Sequence, residues 1–347
     1  MKILALKGDG IGPEIVDCTI KVLNKISNKF KFNLDIIYSD IGFSALKKNK
    51  TTFPNLILKL CEEVDGIILG PVDHNNYPSE REGGLNPSGL LRTKLNLFSN
   101  IRPAKSFKGT KCILDKIDLV IVRENTEGFY ADRNMFSGNG ELEIEEGTGI
   151  SIRKITRKAS EKIAKRGFEI AKQMNKNKKI NVHAIHKANV LRLTDGIFLK
   201  ACRKISKHYP EIEYHEMLVD AATAHMVRKP EQFDVLITTN MFGDILSDLA
   251  SELSGSLGLS GSLNVGDSIP MAQAQHGAAI DIMNKGIANP ISLIFSVAML
   301  LKWLGKQKCQ MEYIKANELV FKVIENILEE NKYCLLYTSP SPRDEQS

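Results

Sequence analysis

One short stretch constrains the fold more than any other. Val235-Leu236-Ile237-Thr238-Thr239 is an apolar, β-branched run of the kind a buried strand requires. Asn240 to Gly243 turns the chain, and the residues from Asp244 onward read as a helix. The same order recurs along the sequence. Strands are expected at Ile3–Leu6, Gly66–Leu69, Leu119–Val122, Ile180–Ile185, Ile212–Val219 and Val235–Thr239. Helices are expected at Pro13–Asn28, with proline at a favourable first position, and at Arg157–Met174, where Ile163, Gly167, Ile170 and Met174 trace one face. Apolar runs alternating with amphipathic stretches predict a layered α/β fold. Residues 131–149 break the pattern: Gly-, Asn- and Glu-rich, without helical period, they predict a loop or an arm that pairs with a second subunit.

The expected strands end in charge. Leu119–Val122 runs into Arg123-Glu124-Asn125, Ile180–Ile185 into His186-Lys187, Ile212–Val219 into Asp220, and Val235–Thr239 into Asn240 with Asp244 just beyond. In open α/β sheets the ligand crevice lies at the carboxyl ends of the strands. Asp244 and Asp248 stand at i and i+4 on one helix face. Like charges at that spacing repel, and a divalent cation between them turns repulsion into ligation; hard oxygen ligands suit Mg²⁺ or Mn²⁺. The competing reading is two solvated carboxylates near a helix N-terminus, where the dipole favours them.

Composition narrows the function. At 347 residues, 43% hydrophobic and 25% charged, the chain has room for two domains or one large one. No apolar run is long enough to span a membrane. Met1–Leu6 reads as a strand entering Gly8-Asp9-Gly10, not as a signal peptide. Six scattered cysteines without CxxC spacing predict reduced thiols and a cytoplasmic location. The net charge is +6, but the lysines do not gather beside aromatics; an anionic small molecule is a better partner than nucleic acid. Cys334 to Asp344 match one translated frame of a widely used sequencing adapter, so 334–347 are expected to be an assembly artefact, with the native chain continuing differently after about Lys332.

Lys7-Gly8-Asp9-Gly10-Ile11-Gly12-Pro13-Glu14 comes after a strand and opens a helix, but its glycine spacing is not G-x-G-x-x-G, so it is a tight turn and not a dinucleotide fingerprint. Further motifs come in order: Arg123-Glu124-Asn125-Thr126-Glu127-Gly128-Phe129-Tyr130, His186-Lys187-Ala188-Asn189, Asn240 to Asp248, and His276-Gly277-Ala278-Ala279-Ile280-Asp281. Together they resemble the isocitrate/isopropylmalate dehydrogenase family, the metal-dependent β-decarboxylating dehydrogenases, over about Met1 to Lys332.

The resemblance implies a two-domain α/β fold of isocitrate/isopropylmalate dehydrogenase type, not a Rossmann fold. It places a discontinuous first domain at 1–100 plus 255–333 and a second domain at 101–254, with 131–149 as a dimer arm. Arg92, Arg102 and Arg123 match the arginines that bind the hydroxy-acid end, where bidentate guanidinium–carboxylate pairing favours arginine over lysine. Asp244 and Asp248 match metal ligands, joined by Asp220 from the partner of a homodimer with shared active sites. The cation would act as a Lewis acid. Lys187, also from the partner, matches the base at the hydroxyl, and Tyr130 the acid that reprotonates the enol carbon. Asn189, His276, Gly277, Ala278, Asp281, Ile282 and Asn289 match cofactor contacts, and an aspartate at position 281 selects NAD by accepting from the ribose hydroxyls and repelling a 2′-phosphate. Two positions depart from the family: Ile280 replaces the usual proline, and Gln273 stands where an acid is common.

Substrate choice in the family depends on the helix before the first arginine, here Gly84 to Arg92. Isopropylmalate enzymes place bulky apolar residues where this chain has Ser88 and Gly89; isocitrate enzymes place hydrogen-bonding residues where it has Asn86 and Ser88. The polar set favours an isocitrate-type hydroxy di- or tricarboxylate. The Asn-Pro-Ser-Gly stretch is not the standard isocitrate pattern, and homoisocitrate, 3-isopropylmalate, D-malate and tartrate remain alternatives. A non-catalytic regulatory subunit is a further alternative, although such subunits lose a metal aspartate, the lysine or the tyrosine, and all are present here.

Overall fold

The computed structural model describes residues 1–130, 135, 140–174, 176, 178–267 and 269–330. The chain divides into two compact units. One comprises Met1–Leu95, Phe107–Cys112 and the residues from Gly255 onward; the other comprises Asn96–Ser106 and Ile113–Ser254.

The first unit opens with β1 (Lys2–Leu6), α1 (Gly12–Phe30), β2 (Asp35–Ser39), α2 (Gly42–Asn49), α3 (Leu56–Glu62), β3 (Gly66–Leu69) and α4 (Pro87–Lys94). Helix α1 carries Pro13 and Glu14 in its first turn and Lys29 in its last, and buries Ile15, Val16, Ile20, Leu23 and Ile26 on one face. Strands β1 and β3 are fully apolar beyond Lys2 and pair in parallel, and β2 lies beside β1.

The chain then builds the second unit: β4 (Ser99–Lys105), β5 (Asp118–Glu124), β6 (Glu141–Glu145), β7 (Thr148–Ser151), α5 (Arg157–Lys172), β8 (Asn181–His186), α6 (Thr194–Ser206), β9 (Glu213–Leu218), α7 (Val219–Arg228), β10 (Val235–Thr238) and α8 (Asn240–Ser254). Its sheet runs β4-β5-β10-β8-β9. All neighbours are parallel except β4 against β5. Parallel strands need helices on both faces, and their side chains alternate accordingly. Val182, Ala184, Val235 and Ile237 pack under α5 and α6 with Ile163, Phe168, Phe198 and Cys202. Ile121, Ile185 and Leu236 face the other way, against Met226 of α7 and Leu246, Ala250 and Leu253 of α8. Gly167 lets α5 lie close on the sheet: a Cβ there would stand 2.3 Å from the Cγ1 of Ile237.

Returning to the first unit, the chain adds β11 (Leu263–Val265), β12 (Met271–Gln273), α9 (Ile291–Gln307) and α10 (Met311–Glu330). The sheet of this unit runs β2-β1-β3-β12-β11. Helix α9 is apolar nearly all round; its Phe295 stacks between Phe107 and Phe321, at centroid distances of 5.5 and 4.5 Å.

Several boundaries move from the sequence expectation. Strand β5 extends through Arg123 and Glu124, so both are strand residues. Strand β9 stops at Leu218, and Asp220 lies in the first turn of α7, because Val219 onward can hydrogen-bond as a helix. The helix expected to reach Met174 ends at Lys172, with Ile170 and Met174 only partly buried against the core. In the 131–149 segment, 131–134 and 136–139 lie outside the described residues, while β6 and β7 form an antiparallel hairpin that exposes Leu142, Ile144 and Ile150. Residues 334–347 also lie outside the described residues. Among those described, no helix is long and apolar enough to cross a membrane.

Candidate active site

In the second unit, strand pairing gathers the charges. Strand β5 lies parallel to β10, with Thr238 opposite Arg123, so the turn into α8 starts beside the Arg123 side chain. Gly243 permits the approach: a Cβ there would sit 2.6 Å from the Cγ of Arg123. Arg123 is 2% exposed, and burying a guanidinium demands partners. Its Nε and Nη2 donate to the Oδ1 of Asn240 at 2.9 and 2.7 Å, Nη2 also donates to the Tyr130 hydroxyl at 2.8 Å, and Nη1 is ion-paired with Asp244. Arg102 on β4 is buried too; its Nη1 reaches Ser247 Oγ at 2.6 Å, Asp244 Oδ1 at 3.1 Å and Asp248 Oδ1 at 3.4 Å. The Tyr130 hydroxyl in turn donates to Asp244 Oδ2 at 2.8 Å. Tyr130 thus accepts from a cation and donates to a carboxylate, and Asp244 is the point where two arginines and a phenol meet.

Strands β8 and β9 form a second cluster. Lys187 comes just after β8, and its Nζ donates to Asp220 Oδ1 at 2.6 Å; the lysine hydrogen bond holds the Asp220 carboxyl below the usual carboxylate range. Asn189 is exposed in the turn after Lys187. Among the described residues no group of three or more His, Cys, Asp or Glu side chains is placed to hold a metal, so one chain does not bring Asp220 to Asp244 and Asp248. Asp244 and Asp248, sharing one helix face, are hard oxygen donors that suit Mg²⁺ or Mn²⁺ with a third ligand from elsewhere.

The remaining expected residues belong to the first unit. Asn86 caps α4, its Oδ1 accepting from Gly89 N–H at 3.1 Å, so that oxygen serves the helix. Ser88 and Arg92 are buried and meet Gln273 of β12: Arg92 Nη2 donates to Gln273 Oε1 at 3.0 Å, and Gln273 Nε2 donates to Ser88 Oγ at 3.2 Å. The segment 276–282 is braced by the glycine-rich start, with Ile11 N–H donating to Ala278 C=O at 2.9 Å. A Cβ on Gly10 would lie 1.9 Å from that carbonyl oxygen. Gly277 borders open space, Asp281 is exposed, and His276 Nε2 is a buried atom with no hydrogen-bond partner. Burial lowers the His276 imidazole below its ordinary range, so the ring is neutral near pH 7. Ile282 N–H closes a turn onto Ala279 C=O, and Asn289 Oδ1 accepts from Ile291 N–H at 3.0 Å at the start of α9. An open glycine, an unpartnered ring nitrogen and an exposed carboxylate fit a nucleotide with a free ribose diol.

The sequence pattern gave no role to the buried carboxylate pair beside Arg123. Glu124 accepts from the backbone N–H groups of Thr126 and Glu127, and Glu127 Oε1 accepts from Thr156 N–H at 2.8 Å. Burial pushes the Glu127 carboxyl up to about 7, and the Glu124 charge adds to the rise. The only signal was their place in the Arg123–Tyr130 motif.

The second unit thus gathers two buried arginines, an i,i+4 aspartate pair and a lysine–aspartate pair in an α/β frame. The isocitrate/isopropylmalate dehydrogenase family matches residues 2–333, and the chain belongs to it. It is an oxidoreductase of a family that oxidatively decarboxylates small hydroxy acids. It is 39% identical to a 3-isopropylmalate dehydrogenase of Archaeoglobus fulgidus over 95% of this chain and 92% of the relative. It is 38% identical to a homoisocitrate dehydrogenase of Methanocaldococcus jannaschii over 99% of this chain and 92% of that one. Among solved structures, an isocitrate dehydrogenase from Methylococcus capsulatus superposes with a TM-score of 0.86 at 35% identity, covering 97% of this chain and 94% of the other.

Glu127 generates a stability prediction. Between its unfolded value of 4.5 and its folded value of about 7, the native state keeps a proton that the unfolded chain has released, so stability falls as pH rises through that window. Glu127→Gln keeps an acceptor for Thr156 and removes the titration. Calorimetry should find the variant more stable at about pH 8, by up to about 3 kcal/mol, with the gap closing toward about pH 5. A stability difference that does not vary with pH would reject the assignment.

Proposed function

We propose that this protein catalyses the NAD-dependent, Mg²⁺- or Mn²⁺-dependent oxidative decarboxylation of a (2R)-hydroxy acid carrying a β-carboxylate, with an isocitrate-type substrate favoured. The observation that carries the reading is the Asp244 carboxylate held between Arg102, Arg123 and Tyr130 in a chain of this family.

The side chains divide the work. Arg102 and Arg123 supply fork-shaped donors to the hydroxy-acid carboxylates, and Arg92 adds a third. Asp244 and Asp248 would hold the divalent cation, with Asp220 of a second chain completing the set. Bound cation and nicotinamide would supply Lewis acidity and a hydride acceptor respectively. Lys187 takes the proton from the substrate hydroxyl. Tyr130, polarised by the Arg123 guanidinium, delivers a proton to carbon after carbon dioxide leaves. Each proton transfer contributes about 10²–10⁴-fold in rate. His276, Gly277, Ala278, Asp281, Ile282 and Asn289 would line the NAD site, with Asn189 toward the nicotinamide. The buried polar trio of Ser88, Arg92 and Gln273 supports a substrate with a hydrogen-bonding end, with Asn86 at the head of the same helix. Free thiols on Cys18, Cys61, Cys112, Cys202 and Cys309 fit a cytoplasmic enzyme.

A homodimer with shared sites is part of this reading. Lys187 and Asp220 pair with each other and form no metal-holding group with Asp244 and Asp248 in one chain. Large apolar side chains beside these residues are exposed: Val190, Leu193, Val227 and Ile245. Exposed apolar side chains near these residues in sequence suit an association surface.

The direct test is NAD reduction with Mn²⁺ present, across isocitrate, homoisocitrate, 3-isopropylmalate, D-malate and tartrate. Turnover of one substrate that EDTA abolishes is expected; no turnover from folded, dimeric protein on any of them would sink the reading. Lys187→Met and Asp244→Asn should each lose at least about 10²-fold in kcat. Mixing the two inactive proteins should restore part of the activity through hybrid sites that carry neither lesion, and a silent mixture despite proven subunit exchange would exclude shared sites. Asp281→Lys should raise the ratio of NADP to NAD use by about tenfold or more, as removal of a repulsive carboxylate implies; an unchanged ratio would mean that residue 281 does not touch the ribose.

A further inference from the structure

The second unit contains a buried ion pair that the proposed chemistry does not use. Arg153 lies two residues past β7, outside every motif singled out in the sequence, and its side chain is 7% exposed. Its Nη1 donates to Asp195 Oδ1 and to Thr194 Oγ1, both at 2.6 Å, and its Nη2 donates to Thr239 Oγ1 at 3.1 Å. The guanidinium also lies against two aromatic rings, 5.5 Å from the centroid of Phe129 and 5.6 Å from that of Phe242. Asp195 is fully buried, and its second oxygen accepts the backbone N–H of Lys187 at 2.6 Å.

Each of these contacts ends close in sequence to a group with a proposed role. Phe129 precedes Tyr130. Thr239 and Phe242 flank Asn240 and lead into Asp244. Asp195 holds the main chain of Lys187 itself. Arg153 and Asp195 therefore tie together three segments that are distant in sequence. A planar guanidinium suits this task, because it can fork to two acceptors in its plane while packing aromatic rings. The pair is also costly to break, since removal of one member leaves the other buried and uncompensated.

We propose that the Arg153–Asp195 ion pair is a positioning device: in each chain it fixes the backbone of Lys187, which acts in the site of the other copy, and the loops of Tyr130 and Asp244, which act in the chain's own site, and so holds both proton-transfer groups of every site in place. This rests on the roles proposed for Lys187 and Tyr130. Misplacing a reacting group by about 1 Å costs on the order of 10²-fold in rate.

The test is steady-state kinetics on Arg153→Ala, Arg153→Lys and Asp195→Asn dimers with saturating NAD and Mn²⁺, alongside Lys187→Met. Arg153→Ala is expected to lose about 10²-fold in kcat with KM for the hydroxy acid little changed, because the arginines that hold the substrate are untouched. Millimolar guanidinium should restore part of that kcat by occupying the slot between Asp195 and the two rings, and should do nothing for Lys187→Met. If Arg153→Ala does not fold, Arg153→Lys and Asp195→Asn carry the same comparison: the first keeps the charge and loses the fork, the second keeps the shape and loses the charge, and a selective fall in kcat is expected. Unchanged kcat in the folded variants, or a loss shared equally with substrate binding and not rescued by guanidinium, overturns the inference while an inactive Lys187→Met leaves the site reading standing. A Lys187→Met protein with wild-type kcat overturns the site reading and this inference with it.

Discussion

The structure of the second unit turns on a buried guanidinium. Arg123 is 2% exposed, in the middle of a sheet, where an isolated charge would cost several kcal/mol. It is tolerated because Asn240, Tyr130 and Asp244 satisfy it from three directions. Tyr130 comes from the loop after β5, and Asn240 and Asp244 come from the first turns of α8. Satisfying one charge therefore fixes both segments against β5, and the same contacts set the distances between the groups of the candidate site. Breaking such a pair by removing one member typically costs about 3–5 kcal/mol, so stability and site geometry cannot be varied separately here. Asn240 shows the coupling: it is fully buried, its oxygen takes two donors from Arg123, and its amide donates to Glu127 C=O at 2.9 Å.

Much of this was legible in the sequence, and the rest was hidden for physical reasons. The parallel strands β1, β3, β5, β8 and β10 announce themselves because burial on both faces demands a continuous apolar run. Strand β2, Asp-Ile-Ile-Tyr-Ser, is a partly exposed edge without such a run. Strand β4 holds Asn100, Arg102 and Pro103, and strands β11 and β12 are three residues each; none has the length or composition that signals a strand. The aspartate pair could be read because i,i+4 spacing is local. The grip of Arg102 and Arg123 on Asp244 could not, because it depends on which strands are neighbours in the sheet. Arg153 left no local trace at all: a lone arginine after an irregular segment reads as solvated, and only the fold places Asp195, Thr239 and two phenylalanines around it.

The two acidic clusters of the second unit differ in kind. Asp244 is enclosed by cations and 18% exposed at its side chain, whereas Asp220 is 64% exposed and answered by a lysine that is itself 27% exposed. The parallel pairing of β8 with β9, His186 opposite Leu218, brings Lys187 and Asp220 together at 2.6 Å, and an exposed pair of this kind contributes little to stability, commonly below about 1 kcal/mol. In the function proposed above, Lys187 and Asp220, with exposed Val190, Leu193 and Val227 nearby in sequence, form one half of a site completed by another copy. Asp195, fully buried, fixes the main chain of this partly exposed lysine.

Substrate choice depends on a smaller set of atoms than overall similarity suggests. The relatives named for 3-isopropylmalate and for homoisocitrate share 39% and 38% identity with this chain, and the solved isocitrate dehydrogenase 35%, differences too small to select among acids that differ at one end. Those acids are distinguished by an isopropyl group in one case and a carboxylate in the others. An isopropyl group gains about 2–3 kcal/mol from an apolar wall and loses that gain against unsatisfied polar atoms. On α4 the two positions that would form such a wall are Ser88 and Gly89, one a hydroxyl already bonded to Gln273 and the other without a side chain. Gln273 is neutral, so its bond to Arg92 brings no opposing charge of its own. In the function proposed above, the polar side chains at positions 88, 92 and 273 and the absent one at 89 suit an anionic end group better than a branched alkyl one.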